Sequence, residues 1–182
     1  MKTLRKLGMA FMAVLLCVNF VACSDSEDGV LDKEDLSTYH KTNMKVNGMQ
    51  YLIRLEHNFY TPDMWANICS PSWGAAFGVN GVREDGLTVS LEGQEIPTPL
   101  KSNSNIGKYT KLWCCIWNDV GSYFEYSSGN VTIQDNGNSL TIKFSNAVYN
   151  LADDNASEEL KKHSKQTLNG TITITSDKIY RE

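Results

Sequence analysis

A dense group of aromatic side chains lies between residues 57 and 73. The segment reads His-Asn-Phe-Tyr-Thr-Pro-Asp-Met-Trp-Ala-Asn-Ile-Cys-Ser-Pro-Ser-Trp, and Phe59, Tyr60, Trp65 and Trp73 are its four large rings. Rings held at a surface stack on sugars or fill pockets of a partner protein. We predict one long connection here, with these four residues as ligand-binding candidates, because long connections often carry function. In the alternative, the rings fold inward and close one end of the domain, since large aromatic side chains are mostly buried.

Three thiols, Cys69, Cys114 and Cys115, are a second source of chemistry. In an exported protein, an odd count allows one disulfide and one free thiol. Neighbouring side chains of a strand point to opposite faces, so only one of Cys114 and Cys115 could pair with Cys69. The alternative is that all three are small, buried, apolar side chains.

The motifs of common enzymes are absent from the sequence. It contains no G-x-S-x-G elbow, no H-E-x-x-H pair and no glycine-rich phosphate loop. The carboxylate pairs Glu84-Asp85 and Asp153-Asp154 fall where turns and helix caps commonly place acids. No C-x-x-C pair is present, and the three histidines have no ligand spacing. We therefore predict no enzymatic activity, no metal site and no cofactor.

Short alternating runs separated by turn residues are the strongest structural signal. Asn-Gly or Asp-Gly dipeptides supply the positive φ angles of tight hairpins. They predict turns at Asn47-Gly48, Asn80-Gly81, Asp85-Gly86, Asp135–Asn138 and Asn169-Gly170. The runs beside them place every second residue, for example Leu140, Ile142 and Phe144, on one apolar face.

The resulting fold class is all-β and antiparallel, with about eight to ten strands. Residues 112–117 are apolar on both faces, which is typical of a strand that is covered on both sides or lines a cavity. Acids precede bases across residues 156–163, which favours one short helix there. Both a β-sandwich and an up-and-down, lipocalin-like barrel satisfy this pattern.

The first 22 residues have the pattern of an export signal. Lys2, Arg5 and Lys6 precede an apolar run, Leu7 to Phe20, which is too short for a comfortable membrane span. We predict that residues 1–22 are removed, that residues 23–36 form an acidic tether, and that residues 37–182 fold as one domain.

The residues around Cys23 carry a resemblance to a known class. Phe20-Val21-Ala22-Cys23 resembles a lipobox, the acylation and cleavage site of bacterial lipoproteins, and Ser24 to Asp28 is similar to the acidic export signal of Bacteroidota-type surface lipoproteins. The resemblance implies that Cys23 is lipidated and holds the protein to the outer membrane. The resemblance favours the cell surface over the periplasmic face of the outer membrane as the location of the protein. Several acyl chains on one residue make such an anchor stable.

Three functions fit these observations. The first is a non-catalytic binding or adhesion module for a glycan or protein, based on the tether and the aromatic segment. The second is a lipocalin-like carrier of a small apolar ligand, based on the doubly apolar segment 112–117. The third is a structural subunit of an envelope or surface assembly, joined through a sheet edge. The domain has no excess of basic residues, so a nucleic-acid partner is not expected.

Overall fold

Alternating apolar and polar residues form ten β-strands in the computed structural model, which describes residues 39–54, 63–116 and 121–182. All of these residues belong to the unit Leu31–Glu182. The strands are β1 (Tyr39–Val46), β2 (Met49–Arg54), β3 (Met64–Ile68), β4 (Ala75–Arg83), β5 (Thr88–Ile96), β6 (Thr110–Cys115), β7 (Ser122–Asp135), β8 (Ser139–Leu151), β9 (Lys165–Thr175) and β10 (Ile179–Arg181).

Eight of these strands close into an up-and-down antiparallel barrel. The order around the barrel is β4-β2-β1-β9-β8-β7-β6-β5, and β5 pairs with β4 to complete the ring. Neighbours in the ring are also neighbours in sequence, with two exceptions. β2 pairs with β4, and β1 pairs with β9. The predicted all-β antiparallel class is confirmed, and of the two predicted architectures the barrel is the correct one.

The strands β3 and β10 lie outside this ring of eight. β2 and β3 both pair antiparallel with β4, so they lie along the same edge of β4, one after the other. β10 pairs in parallel with β3. The prediction of one long connection over residues 57–73 is therefore wrong in its second half. Met64, Ala66 and Ile68 alternate with polar or aromatic residues, and this period of two makes a strand.

Two of the predicted turns are not turns. Asn80-Gly81 lies inside β4 and Asn169-Gly170 inside β9. Gly81 is needed for close packing, because a Cβ there would lie 2.3 Å from the Leu52 carbonyl oxygen. Gly170 has φ of +121°, and a Cβ there would lie 1.9 Å from the Asn43 carbonyl oxygen, so it marks a close strand contact.

The other turns and the helix agree with the sequence. Asn47 and Gly48 both have positive φ, at 51° and 83°, as a two-residue hairpin requires. Helix α1 (Glu158–Lys162) lies in the predicted range, and the Ser157 side chain caps it by accepting a 3.1 Å hydrogen bond from the Leu160 amide. Leu160 packs into the core. Within the described ranges no helix is both long and apolar enough to cross a bilayer.

Candidate functional site

The barrel interior is occupied by large side chains from all eight strands of the ring. Tyr51, Phe77, Phe124, Phe144 and Tyr149 are buried in the same core cluster. Their polar atoms have partners, since the Tyr51 hydroxyl donates a 2.8 Å hydrogen bond to the Val89 carbonyl oxygen. Burial raises the pKa of the Tyr51 hydroxyl well above its usual range, so this group stays protonated. The interior therefore stabilises the fold, and the one buried charged side chain described there, Arg83, is paired with Asp85.

The outward face of the sheet, including β3, carries a second set of aromatic residues, which we call the outer wall. It is defined by Trp65 on β3, Trp113 on β6 and Tyr123 on β7. Their side chains point outward because each alternates with a buried neighbour of its own strand: Ala66, Leu112 or Phe124. Three strand spacings separate Trp65 from Trp113, or about 14 Å across the sheet.

Small residues lie beside both tryptophans of the outer wall. Trp65 is directly opposite Gly78 of β4, and its indole covers the bare backbone there, since a Cβ on Gly78 would lie 2.3 Å from Trp65 Nε1. Trp113 is opposite Ser90 of β5 and Tyr123 of β7. The Trp113 indole also covers a glycine, Gly121. Both indoles are thus laid against the sheet, where one face of a ring remains available for stacking.

One lysine and two carboxylates lie on the outer wall, since Lys111 has Glu92 on one side and Glu125 of β7 on the other. Lys111 Nζ lies 4.0 Å from Glu92 Oε2 and 4.7 Å from the centre of the Tyr123 ring. Both interactions are weak where they are partly exposed. The described part of the wall is therefore aromatic and polar, and its lysine lies between two acids.

Two further aromatic side chains are exposed near the end of β3. Trp73 belongs to the turn between β3 and β4 and is 78% exposed. Tyr180 of β10 pairs with Asn67, which shares the outward face of β3 with Trp65, and it is 64% exposed. β10 is held by Arg181, whose guanidinium donates two hydrogen bonds of 2.6 and 2.7 Å to Asp135. These bonds lower the pKa of the Asp135 carboxyl, which keeps it ionised.

The structure places the predicted ligand-binding residues unequally. Trp65 is partly buried on the outer wall and Trp73 is exposed in the turn after β3, so the alternative in which the rings close one end of the domain does not apply to Trp73. Phe59 and Tyr60 lie outside the described residues. Trp113, Tyr123 and Tyr180 were not predicted as site residues. Their strand alternation, with apolar neighbours facing the core, is the sequence signal that could have found them.

The predicted disulfide is not formed, because Cys69, Cys114 and Cys115 are all free. The strand registers explain why. Through Val89 of β5, Cys114 lies level with Gly81 of β4. Cys69 follows Ile68, which pairs with Ala75 of β4, about 20 Å away along that strand. A disulfide needs Cα atoms within about 7 Å. Cys114 and Cys115 do face opposite sides, as predicted.

The buried thiol of Cys114 is chemically quiet. Burial raises the pKa of Cys114 to about 12, and the nearby Arg83 charge opposes this only in part. A thiol that is not ionised is a poor nucleophile and a poor metal ligand. Among the described residues, no group of three or more His, Cys, Asp and Glu side chains is placed to hold a metal ion.

Comparisons with known proteins give no relative for this chain. No family model matches it, and neither a curated protein nor a solved structure is significantly similar to it.

Proposed function

We propose that this protein is a non-catalytic binding module that stacks a glycan against its outer wall. One observation carries the proposal: aromatic side chains face solvent on the outside of a barrel whose inside is already filled by other aromatic side chains. Trp73 and Tyr180 are largely exposed, so they bury little apolar area and add little to the stability of the core. Aromatic rings in such positions are typical of surfaces that recognise a partner.

The chemistry of the outer wall favours a neutral, hydroxyl-rich ligand. Ring faces stack on the apolar face of a sugar, while side chains such as Ser90 offer hydrogen bonds to hydroxyl groups. At its centre Lys111 is paired with Glu92, and Glu125 of β7 lies directly opposite Lys111. An ionic ligand would have to compete with that pair.

The filled interior bears on the alternative of a lipocalin-like carrier. The barrel fold is compatible with it, because barrels of eight strands hold small ligands in some proteins. Here the centre is taken by Tyr51, Phe77, Phe124 and Tyr149, each of which is fully buried. The outer wall is therefore favoured over the centre as the main binding surface.

The binding test uses the purified protein on an array of neutral and acidic oligosaccharides. We expect at least one neutral glycan to bind, and we expect Trp73→Ala and Trp113→Ala to weaken that binding by tenfold or more, since one stacked ring contributes on the order of 1–2 kcal/mol. Met49→Ala is the matched control, because Met49 is an exposed apolar side chain on the β1–β2 hairpin, away from the outer wall. Each variant is first checked for an unchanged circular dichroism spectrum.

Two results would contradict the glycan proposal. One is the absence of binding to every neutral glycan. The other is binding that survives both tryptophan substitutions, which would place the ligand elsewhere on the protein.

We also propose that this module is tethered to the outer membrane through acylated Cys23, with residues 24–36 as an acidic spacer. The support is the sequence pattern of residues 1–28, which lies outside the described residues. Mass spectrometry of the native protein is expected to show a chain that begins at Cys23 and carries acyl groups. Cys23→Ser is expected to release the protein from membranes. An intact Met1 or an unmodified Cys23 would refute the tether.

A further inference from the structure

The barrel wall opens along one seam, between β1 and β9. Pairing of these two strands runs from Val46–Leu168 to Asn43–Thr171 and then stops. Beyond that point, the first part of β1 follows β2, with His40 opposite Ile53, while the last part of β9 follows β8, with Thr173 opposite Thr141. The two strands diverge and leave a wedge-shaped cleft of about 280 Å³ between them.

Specific residues hold the seam open. The register of β1 against β2 shifts between Lys41 and Lys45, which marks a bulge. The Gln50 side chain donates hydrogen bonds to the carbonyl oxygens of Thr42 and Met44 on either side of the bulge, and Thr42 Oγ1 donates to the Tyr51 carbonyl oxygen at 2.9 Å. Because the bulge is secured by these side-chain bonds, the cleft is a built feature of the barrel.

The cleft has an apolar floor and a polar rim that carries one lysine. Its floor is formed by Ile53, Met64 and Ile172, which otherwise belong to the core, so the cleft reaches the outermost layer of the barrel interior. Its rim includes the exposed side chains of His40 and Lys41. The described residues that line it include no carboxylate. Thr173 adds a hydroxyl group on the opposite strand.

We propose that this seam cleft binds a small anionic amphiphile, with its carboxylate or similar head at the rim beside Lys41 and its apolar tail on the floor. Three apolar residues form its floor and six polar residues complete its lining, and this division suits a ligand with an apolar part and a polar head. Since one water-sized group takes about 30 Å³, the cleft accommodates on the order of nine non-hydrogen atoms. Short-chain fatty carboxylates of about this size have both required parts.

The probe is octanoate, titrated into the full-length protein and followed by isothermal titration calorimetry and by NMR chemical shifts. Octanol and octylamine serve as neutral and cationic analogues of the same length. We expect octanoate to bind best and octylamine least, because Lys41 is the one charged side chain among the described residues of the rim. Equal binding of all three, or preference for octylamine, would overturn the proposal, and so would the absence of any octanoate binding.

Two pairs of variants locate the site. Lys41→Gln is expected to weaken octanoate binding about threefold and to leave octanol unchanged, because an exposed ion pair contributes little. Its control is Lys45→Gln on the same strand, which is exposed but does not line the cleft. Thr173→Trp is expected to block the cleft and abolish octanoate binding. Its control is Thr175→Trp, two residues further on the same face of β9.

If Lys45→Gln or Thr175→Trp weakened octanoate binding as much as the cleft variant it controls, the seam assignment would be overturned. The seam proposal is independent of the outer wall. Trp73→Ala is expected to leave octanoate binding unchanged, and Thr173→Trp is expected to leave glycan binding unchanged. Failure of one proposal is therefore distinguishable from failure of the other.

Discussion

The inside and the outside of the barrel use the same residue types for different purposes. Phe124 and Tyr123 are adjacent in β7, yet Phe124 is fully buried in the core while Tyr123 is 47% exposed. The alternation of a strand sends them to opposite faces. An interior ring is packed on all sides, whereas a ring on the outer wall rests on the sheet through one face.

This difference separates stability from recognition. Burying an aromatic side chain removes a large apolar area from water, so the interior rings account for much of the folding free energy. The outer rings of Trp73 and Tyr180 remain largely in contact with water. Their loss is expected to cost little stability, which leaves them free for recognition of a partner.

The largest expected effect tests this comparison directly. Phe124→Ala is expected to lower the free energy of unfolding by about 3–5 kcal/mol, since it removes a buried ring and leaves a cavity. Tyr123→Ala, one residue away, is expected to lower it by less than about 1 kcal/mol, because its neighbours on the outer wall, Lys111 and Trp113, are themselves only partly buried. Urea denaturation measures both values.

Similar losses for the two variants would break the comparison. They would mean that the outer wall is a second core and that its rings are structural. The slope of the unfolding free energy with urea must stay constant across the set, because a change in slope would indicate an altered unfolded state.

Much of the fold follows from local sequence signals. The Asn47-Gly48 hairpin and helix α1 were predictable because their causes, positive φ and a side-chain cap, act within a few residues. The Asn-Gly dipeptides that end at Gly81 and Gly170 were wrongly predicted as turns, because the role of the glycine there is not local. There the glycine serves a contact with a distant residue, Leu52 or Asn43, and local sequence does not contain that partner.

Barrel closure was not predictable from the sequence. It depends on β1 meeting β9, which joins Val46 to Leu168 across most of the chain. A sandwich with the same hairpins would satisfy every local pattern equally well.

The candidate site was predictable only in part. Trp65 and Trp73 stood out because they lie in an aromatic cluster, but the strand β3 within that cluster was missed. Trp113 lies in a segment that is apolar on both faces, and its exposure depends on which face the barrel turns outward. The pairing predicted for Cys69 failed because the distance to Cys114 is set by strand register, which the sequence does not specify.

The smaller expected effect concerns a charge at the boundary between inside and outside. Arg83 continues the inward-facing series of β4 and is only 3% exposed, and it donates hydrogen bonds of 2.6 and 2.5 Å to both carboxylate oxygens of Asp85. Partial burial would raise the pKa of Asp85, but the bonds and charge of Arg83 outweigh it and lower that pKa. Asp85 is 37% exposed and Arg83 is buried, so water and salt screen this ion pair only from the side of Asp85.

Asp85→Asn is therefore expected to lower the free energy of unfolding by about 1–2 kcal/mol at pH 7, less than a fully buried pair because of that exposure. The folded pKa lies below the unfolded value, so the stabilisation is present above about pH 4 and disappears as the pH falls through the folded pKa. Urea unfolding of the protein and the variant between pH 7 and pH 2 measures this, with Glu84→Gln as control at the same turn. A difference that is constant over this range would show that the charge of Asp85 does not stabilise buried Arg83, and that Arg83 is held at the barrel end by packing of its stem alone.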